Sequence, residues 1–591
     1  MIIYRIDIAD ANAHLFKVTL TLPNPQPQQR LSLPVWIPGS YLVREFARHL
    51  SGLQAYQGGR PVPLKQLDKA SWLAPCKGRA ALTVSCLVYA FDTSVRAAFL
   101  DAGRGFFNGT SLCLRAEGFE AQPHALEIGE LPKGWQVATS LPALKVDAAG
   151  RGRYLAAGYD ELVDHPVELG RFWRGRFNAR GVPHEFIVAG ALPDFDEERL
   201  LADTRRICEA QIELWHGRSG RGAAAKPPFE RYVFLLNAVD DGHGGLEHRA
   251  STALIAPRRD LPQQGKPELS EGYVSLLGLI SHEYFHTWNV KRLRPAEFAT
   301  YDYTRENYTE LLWFFEGFTS YYDDLLLRRA GLIDADRYLR LLAKTVSGML
   351  GTPGRQVQSV AQASFDAWVK YYRADENTAN ATISYYTKGA LVALALDLTL
   401  RGEGKPAGHA SLDDVMRHLW ARGAGGPIAE ADIAAALQAV CGRSLDKELA
   451  AWVHGTGELP LRALLASAGV AWQHQTATLA QRLGLRVSES ALTGVKLTHV
   501  LSGGAAQQAG LSAGDELLAL DGWRLRRLDD ALRLRVPGSR ATLLVSRDQR
   551  VLSLPLTWPD EAGEAAGAVS LALVDKPAKP ALALREAWLA G

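Results

Sequence analysis

The hydrophobic pattern of this 591-residue chain changes period twice, and that change limits its architecture more than any single motif. Over residues 1–170 the runs IIYRIDI, LFKVTLTL, ALTVSCLVYAF and HALEIGEL are short, alternating or β-branched, and Pro, Gly and Asn turns separate them. They predict an all-β domain. PNPQPQQ (23–29) fits only a loop between strands, and LPVWIPGSYLVREFARHL (33–50) mixes a strand end, a Pro-Gly turn and a helix-like tail. From about 171 to 470 apolar residues fall at helical spacing, as in FDEERLLADTRRICEAQIELWHG (195–217), beside a buried strand, ERYVFLLNAV (230–239). Residues 475–560 turn β again. From 561 the chain begins with EAGEAAGA, a flexible composition, and ends in a short helix, ALALREAWLAG. A chain this long outgrows one core, so the reading is a multidomain α+β protein without internal repeats.

Hydrophobic content of 47% and a net charge of +2 are ordinary for a globular chain and give no reason to expect nucleic acid or an anionic membrane as partner. Arg5, Asp7 and Asp10 interrupt the start where a signal peptide needs an apolar core, and LVALALDLTL (391–400) is too short and too charged to span a membrane. Five scattered cysteines (76, 86, 113, 208 and 441), none in a CxxC, read as thiols in a reducing compartment. A cytoplasmic location is expected, and nothing in the residues fixes an oligomeric state.

Within the helical region, ISHEYFHTWNVKRLRP (280–295) sets Glu283 between His282 and His286. Four helical residues turn about 400°, so the two imidazoles share a face and can reach one zinc ion, while Glu283 projects about 100° round the helix as a general base. At this composition chance supplies about 0.04 such matches in the chain. SEGYVSLLGLISHEYFHTWNV is the helix that carries the motif, with Ser270 as N-cap; TELLWFFEGFTSYYDDLLLRRAG (309–331) is a second, capped by Thr309 and closed by Gly331.

A catalytic zinc needs a third protein ligand and an open position. Glu297, Asp302, Glu306, Glu310 and Glu316 are the acidic candidates downstream. Only Glu316 lies mid-helix in an apolar frame, where a carboxylate must be paired or metal-bound; Glu306 and Glu310 belong to a polar loop.

HEYFH followed by LWFFEGFTSYY resembles the gluzincin metallopeptidases, in which a second helix bearing Glu-Gly-Phe gives the third ligand. Glu316 follows His286 by 30 positions, longer than the common aminopeptidase spacing, with residues 293–304 forming an added loop. The glycyl aminopeptidase family shows such a spacing. The chain resembles that family over nearly its whole length, through LPVWIPGSYLVREFA, YDELVDHPVELG (159–170), GGLEH (244–248), the two helices and a PDZ-like segment. The resemblance implies a thermolysin-like zinc peptidase domain over 171–390, a helical extension over 391–474, a PDZ-like domain over 475–560 and a tail over 561–591. It further implies one zinc per chain, held by His282, His286 and Glu316, and aminopeptidase action on peptides with N-terminal Gly or Ala.

In DGHGGLEHRAST (241–252), Gly244 and Gly245 let a substrate backbone lie close, and Glu247 can hold a free α-amino group. The resemblance implies that role for Glu247 and places His248 where relatives carry Asn, among the substrate-binding residues. On the residues alone the segment is equally a polar turn. In ISYYTKGALVAL (383–394) the resemblance selects Tyr386 as donor to the reaction's oxyanion, with Tyr385 its neighbour, though both could simply pack. Lys291, Arg292 and Arg294 read as helix-end or surface charges, and VWIPGSY and YDELVDHP have no evident mechanism.

LAQRLGLRV (479–487), the stretch 495–525 and ATLLVSR (541–547) resemble a bacterial-type PDZ domain, whose strand edge near RLGL can accept a peptide ligand. Two alternatives stay open: an endopeptidase with the same zinc chemistry, and a PDZ-based peptide-binding scaffold with an idle zinc site.

Overall fold

The computed structural model describes residues 1–217, 227–403, 410–423, 425–534, 538–559 and 567–591. They fall into two compact units, residues 1–308 with 420–428 and residues 309–419 with 429–591.

In the first unit, the alternating runs become an eight-stranded sheet in which Ile2–Asp10 lies between Leu15–Leu22, antiparallel, and His124–Ile128, parallel. Ile2, Tyr4 and Ile6 turn inward, as do Phe16, Val18, Leu20 and Leu22, so a period of two in sequence becomes one buried face. Two four-stranded sheets complete this β domain. Its core runs on into Val233, Leu235, Leu246 and Ile255 of the next sheet.

That sheet has five strands, β1 (Trp173–Ala179), β2 (Val182–Ala189), β3 (Tyr232–Val239), β4 (Gly244–Glu247) and β5 (Ser251–Pro257), in the order β1-β2-β3-β5-β4. β2, β3 and β5 run parallel, and β4 returns antiparallel to β5 at the edge. β5 is buried at every position, as a strand covered on both faces should be. The helices α1 (Glu197–His216) and α2 (Glu271–Phe285) pack on this sheet. Ser270 caps α2 as its position predicts, its hydroxyl accepting the Tyr273 N–H. Beyond α2 the expected loop 293–304 carries one short 3-10 turn, Ala296–Phe298.

The second unit is mainly helical. α3 (Leu312–Arg329) starts at Leu312 rather than Thr309, because the Thr309 hydroxyl accepts the Leu311 N–H and so serves the preceding turn. It closes as expected, with Gly331 at φ +68 donating its N–H to the Arg328 carbonyl. α4 (Ala335–Leu350) follows, then α5 (Tyr385–Glu403), apolar on nearly every side and buried accordingly. α3 and α5 cross at two glycines: a Cβ on Gly317 would stand 2.5 Å from the Gly389 Cα. Glycine at both positions lets the backbones touch.

β6 (Val470–His474) leads into the PDZ-like module, whose edge strand is β7 (Leu485–Ser490). The chain returns as β8 (Val569–Leu573), antiparallel to β6 with His474 opposite Val569, so the module leaves and re-enters the helical unit at adjacent points. Most of EAGEAAGA lies outside the described residues. The expected terminal helix is present as α6 (Lys579–Ala590), but it is no free tail. Trp588 is fully buried, and its Nε1–H donates to the Tyr321 hydroxyl at 3.0 Å, which donates to Asp397 at 2.6 Å. All five cysteines are free thiols. Among the described residues no helix is long and apolar enough to cross a membrane.

Candidate active site

α2 sets His282 and His286 one turn apart, with their Nε2 atoms 3.1 Å from each other and their rings inclined at 85°. The His286 Nδ1 lies 2.8 Å from the Asn289 carbonyl, so Nδ1 carries the hydrogen and Nε2 keeps its lone pair. Two nitrogens bound to one tetrahedral zinc at about 2.0–2.1 Å stand about 3.3 Å apart. The pair fits a shared metal ion.

Glu283, on the same helix, is buried, and the edge strand β4 runs directly against it: the Cβ that Gly245 lacks would collide with the Glu283 carboxylate. Gly245 and Glu247 are two residues apart and share a face of the strand, while Leu246 turns to the core. The consequence is a tight set in which ligand atoms of Glu247, Glu283 and His286 lie within 4.8 Å of one another. From the β domain, Gly39 at φ +91 brings its backbone against Glu247; a Cβ there would stand 2.5 Å from both carboxylate oxygens. The VWIPGSY stretch therefore bounds this site, a role that only the fold reveals.

YDELVDHP also finds its place. Asp164 is buried beside the turn that follows β4, accepting from Lys291 Nζ at 2.7 Å, from the Arg249 N–H at 3.1 Å, and facing His248 Nδ1 at 3.2 Å. Burial alone would push the Asp164 carboxyl up, but the Lys291 ammonium, the His248 hydrogen bond and Arg249 hold it well below the usual carboxylate range. For Lys291, burial works to lower the ammonium's pKa, and Asp164 overrides it and raises it. One sequence expectation changes here. Lys291 is no surface charge, being 4% exposed at its side chain. His248, grouped with the substrate-binding residues, is 1% exposed, with its Nδ1 turned to Asp164. Arg292 spends its guanidinium on the carbonyls of Arg249 and Thr287.

In the second unit, Glu316 sits mid-helix on α3 and is 2% exposed, next to the Gly317–Gly389 crossing. Glu306 is half-buried and Glu310 exposed. Tyr385 and Tyr386 open α5 and stack on each other with ring centroids 4.8 Å apart, and Tyr386 stacks with Tyr371 at 5.4 Å. Tyr385 is fully buried, whereas Tyr386 is half-buried. Burial, and then the negative charge of Glu316, push the Tyr386 hydroxyl well above its ordinary value, so it keeps its proton and can donate.

Within the first unit Glu247, Glu283 and His286, and within the second Glu310, Glu430 and His454 at a more exposed face, are grouped as donors for a metal ion. Two imidazoles and one carboxylate, the set expected from the sequence, are donors that catalytic zinc uses.

Residues 3–171 match the peptidase M61 N-terminal domain, residues 275–392 the M61 glycyl aminopeptidase family, and residues 473–545 a PDZ domain. Among solved structures, an aminopeptidase N family protein from Idiomarina loihiensis is 37% identical over 100% of both chains, with a TM-score of 0.92. An M1 zinc metallopeptidase from Deinococcus radiodurans is 16% identical, over 78% of this chain and 94% of that one, with a TM-score of 0.48. Among curated proteins none matches.

Proposed function

The chain belongs to the M61 glycyl aminopeptidase family and is a metallopeptidase, an aminopeptidase; on that premise we propose that it works with one zinc ion and releases small N-terminal residues. His282, His286 and Glu316 would hold the zinc. When bound, the ion supplies Lewis acidity to the scissile carbonyl and makes a water acidic near neutral pH.

The chain's own residues do the rest. Glu247 takes the substrate's ammonium in charge-assisted hydrogen bonds and so fixes which peptide bond meets the base. Gly244 and Gly245, without side chains, let the substrate backbone lie along β4 beside Glu283. Glu283 accepts the proton of the attacking water and returns it to the leaving amine nitrogen. Tyr386 donates its retained proton in a hydrogen bond to the oxyanion, an interaction realised chiefly in the transition state. Preference for Gly or Ala follows the family. The observation that carries the reading is the placement of Glu247 within 4.8 Å of both Glu283 and His286: a carboxylate that holds an amine there makes the enzyme an exopeptidase. Peptides with a free N-terminus are the substrates; the free edge of β7 is the place for a peptide ligand of the PDZ domain. Five free thiols support a reducing, cytoplasmic location.

The test compares glycyl, alanyl and leucyl amides with their N-acetylated forms. An acetylated amine leaves the buried Glu247 unpaired, so kcat/KM should fall by about a hundredfold or more, and Glu247→Ala should erase the discrimination. Equal cleavage of free and acetylated substrates by the native enzyme would instead favour an endopeptidase. No cleavage by zinc-loaded protein would favour the scaffold.

A further inference from the structure

Arg96 lies on the chain between strands Leu82–Tyr89 and Ala98–Leu100 of the β domain, far in sequence from every motif above. Its guanidinium reaches the edge strand β4, where Nη2 donates to the Gly245 carbonyl at 3.2 Å. Nη1 and Nη2 also stand 3.7 and 3.9 Å from where a Gly244 Cβ would be. The arginine is half-buried, yet no carboxylate lies within ion-pair reach of it among the described residues, and its buried Nε has no hydrogen-bond partner there. An arginine so placed gives up part of its hydration without a counter-charge, which is a cost unless an anion arrives.

The loop is built to hold it there. Asn108, fully buried, donates its side-chain amide to the carbonyls of Val95 at 2.9 Å and Ala97 at 3.3 Å, the residues on either side of Arg96. The Arg96 N–H donates to the Ser94 hydroxyl at 3.3 Å, and the Ser94 N–H to Asp92 at 2.8 Å. Both flanking side chains, Val95 and Ala97, are anchored in the core. Little ordering is left to be done when a ligand meets the guanidinium.

Along β4 the groups follow one another in a fixed order: Arg96 at Gly244 and Gly245, the Glu283 carboxylate opposite Gly245, and Glu247 at the strand's end. We propose that Arg96 binds the C-terminal carboxylate of the substrate, so that the preferred substrates are dipeptides and tripeptides with a free carboxyl group. The inference rests on the reading in which Glu247 holds the substrate's amine. The strand rises about 3.4 Å per residue, so Gly244 and Gly245, where Arg96 stands, lie about 7–10 Å along it from Glu247. An extended peptide of two or three residues spans about the same length from amine to carboxylate. Such a peptide lies beside β4 with its ammonium on Glu247, its scissile bond at Glu283 and its carboxylate on a guanidinium fork whose planar geometry suits it. A longer peptide, or an amidated one, gains nothing from Arg96.

The test uses full-length, zinc-loaded enzyme and measures kcat and KM for Gly-Phe and Gly-Gly-Phe against their C-terminal amides, in the native protein, Arg96→Gln and Arg96→Lys. The native enzyme should prefer the free acids by about tenfold to a hundredfold in kcat/KM, mostly through KM. Arg96→Gln should bring the acids down to the level of the amides, and Arg96→Lys should keep part of the preference. Equal rates on acids and amides in the native enzyme would overturn the proposal alone. So would an equal loss on both in Arg96→Gln, which would leave Arg96 as a prop for β4. Failure of the native enzyme to cleave even the amides, or cleavage of N-acetylated peptides at the same rate, would remove the aminopeptidase reading and this proposal with it.

Discussion

Glu247 and Glu316 are both almost fully buried carboxylates, and the chain fixes them by different physics. Glu247 ends an edge strand whose next turn is tied by charge: Asp164 gathers Lys291, Arg249 and His248 within 3.2 Å for its closest contacts. Glu316 rides a helix placed by volume, because the crossing at Gly317 and Gly389 leaves no room for a methyl group. The first arrangement answers to protonation and the second to steric bulk. Each can be broken without touching the other.

The largest effect should come from the charged side. Asp164→Asn leaves Lys291 buried without its counter-ion, and breaking such a pair costs about 3–5 kcal/mol. Denaturant unfolding of the metal-free protein would measure it, and a loss below about 1 kcal/mol would show that water or another group takes over. The sign of the pH dependence follows from the two shifts. The Asp164 carboxyl is depressed, so its contribution is complete above about pH 4 and lost as pH falls through the folded value. The Lys291 ammonium is raised, so its contribution is complete below about pH 10 and lost as pH rises through its folded value. In the native protein both are intact near neutrality, and Asp164→Asn should flatten the acid side of the stability profile.

Gly317→Ala should cost less, about 1–3 kcal/mol for overpacking against backbone that has little room to give. Its stability profile should run parallel to that of the native protein at every pH, which separates the two mechanisms. It should also lower kcat, since Tyr386 lies three residues before Gly389 on the helix that would be displaced. A Gly317→Ala enzyme with native stability and native kcat would mean that the crossing does not position Glu316.

The smallest effect should follow excision of the PDZ domain. Joining His474 to Val569 through a short linker closes the β6–β8 pair across adjacent residues, so hydrolysis of dipeptides should change by less than about threefold. Cutting the chain before α6 is a different matter, because it removes Trp588 and its bond to Tyr321 on the Glu316 helix. Inactivity of the folded excision variant on dipeptides would make the PDZ domain part of the active site.

Local pattern carried much of this. The HEYFH spacing and the Ser270 cap are properties of one helix, and alternation alone separated the β domain from the helical region. What stayed hidden depends on residues distant in sequence. Gly39 meets Glu247 and Asp164 meets Lys291 across more than a hundred positions, and neither pair leaves a periodic trace. A basic residue at a helix end reads as a surface charge, and only the fold puts Asp164 beside Lys291. The docking of α6 leaves no local sign because its partners, Tyr321 and Arg329, lie over 250 residues upstream. Thr309 failed as a cap for a local reason, since its hydroxyl serves the turn before the helix. The role of Arg96 had no sequence signal at all.

The account stands most directly on the metal, and elemental analysis of purified protein tests it. Native enzyme and Glu283→Gln should each retain about one zinc per chain, the second without turnover, because loss of a general base removes about 10²–10⁴ in rate and no ligand. Glu316→Ala should lose the zinc. Full zinc and full activity in Glu316→Ala, or native protein that is folded and refuses zinc, would contradict the account.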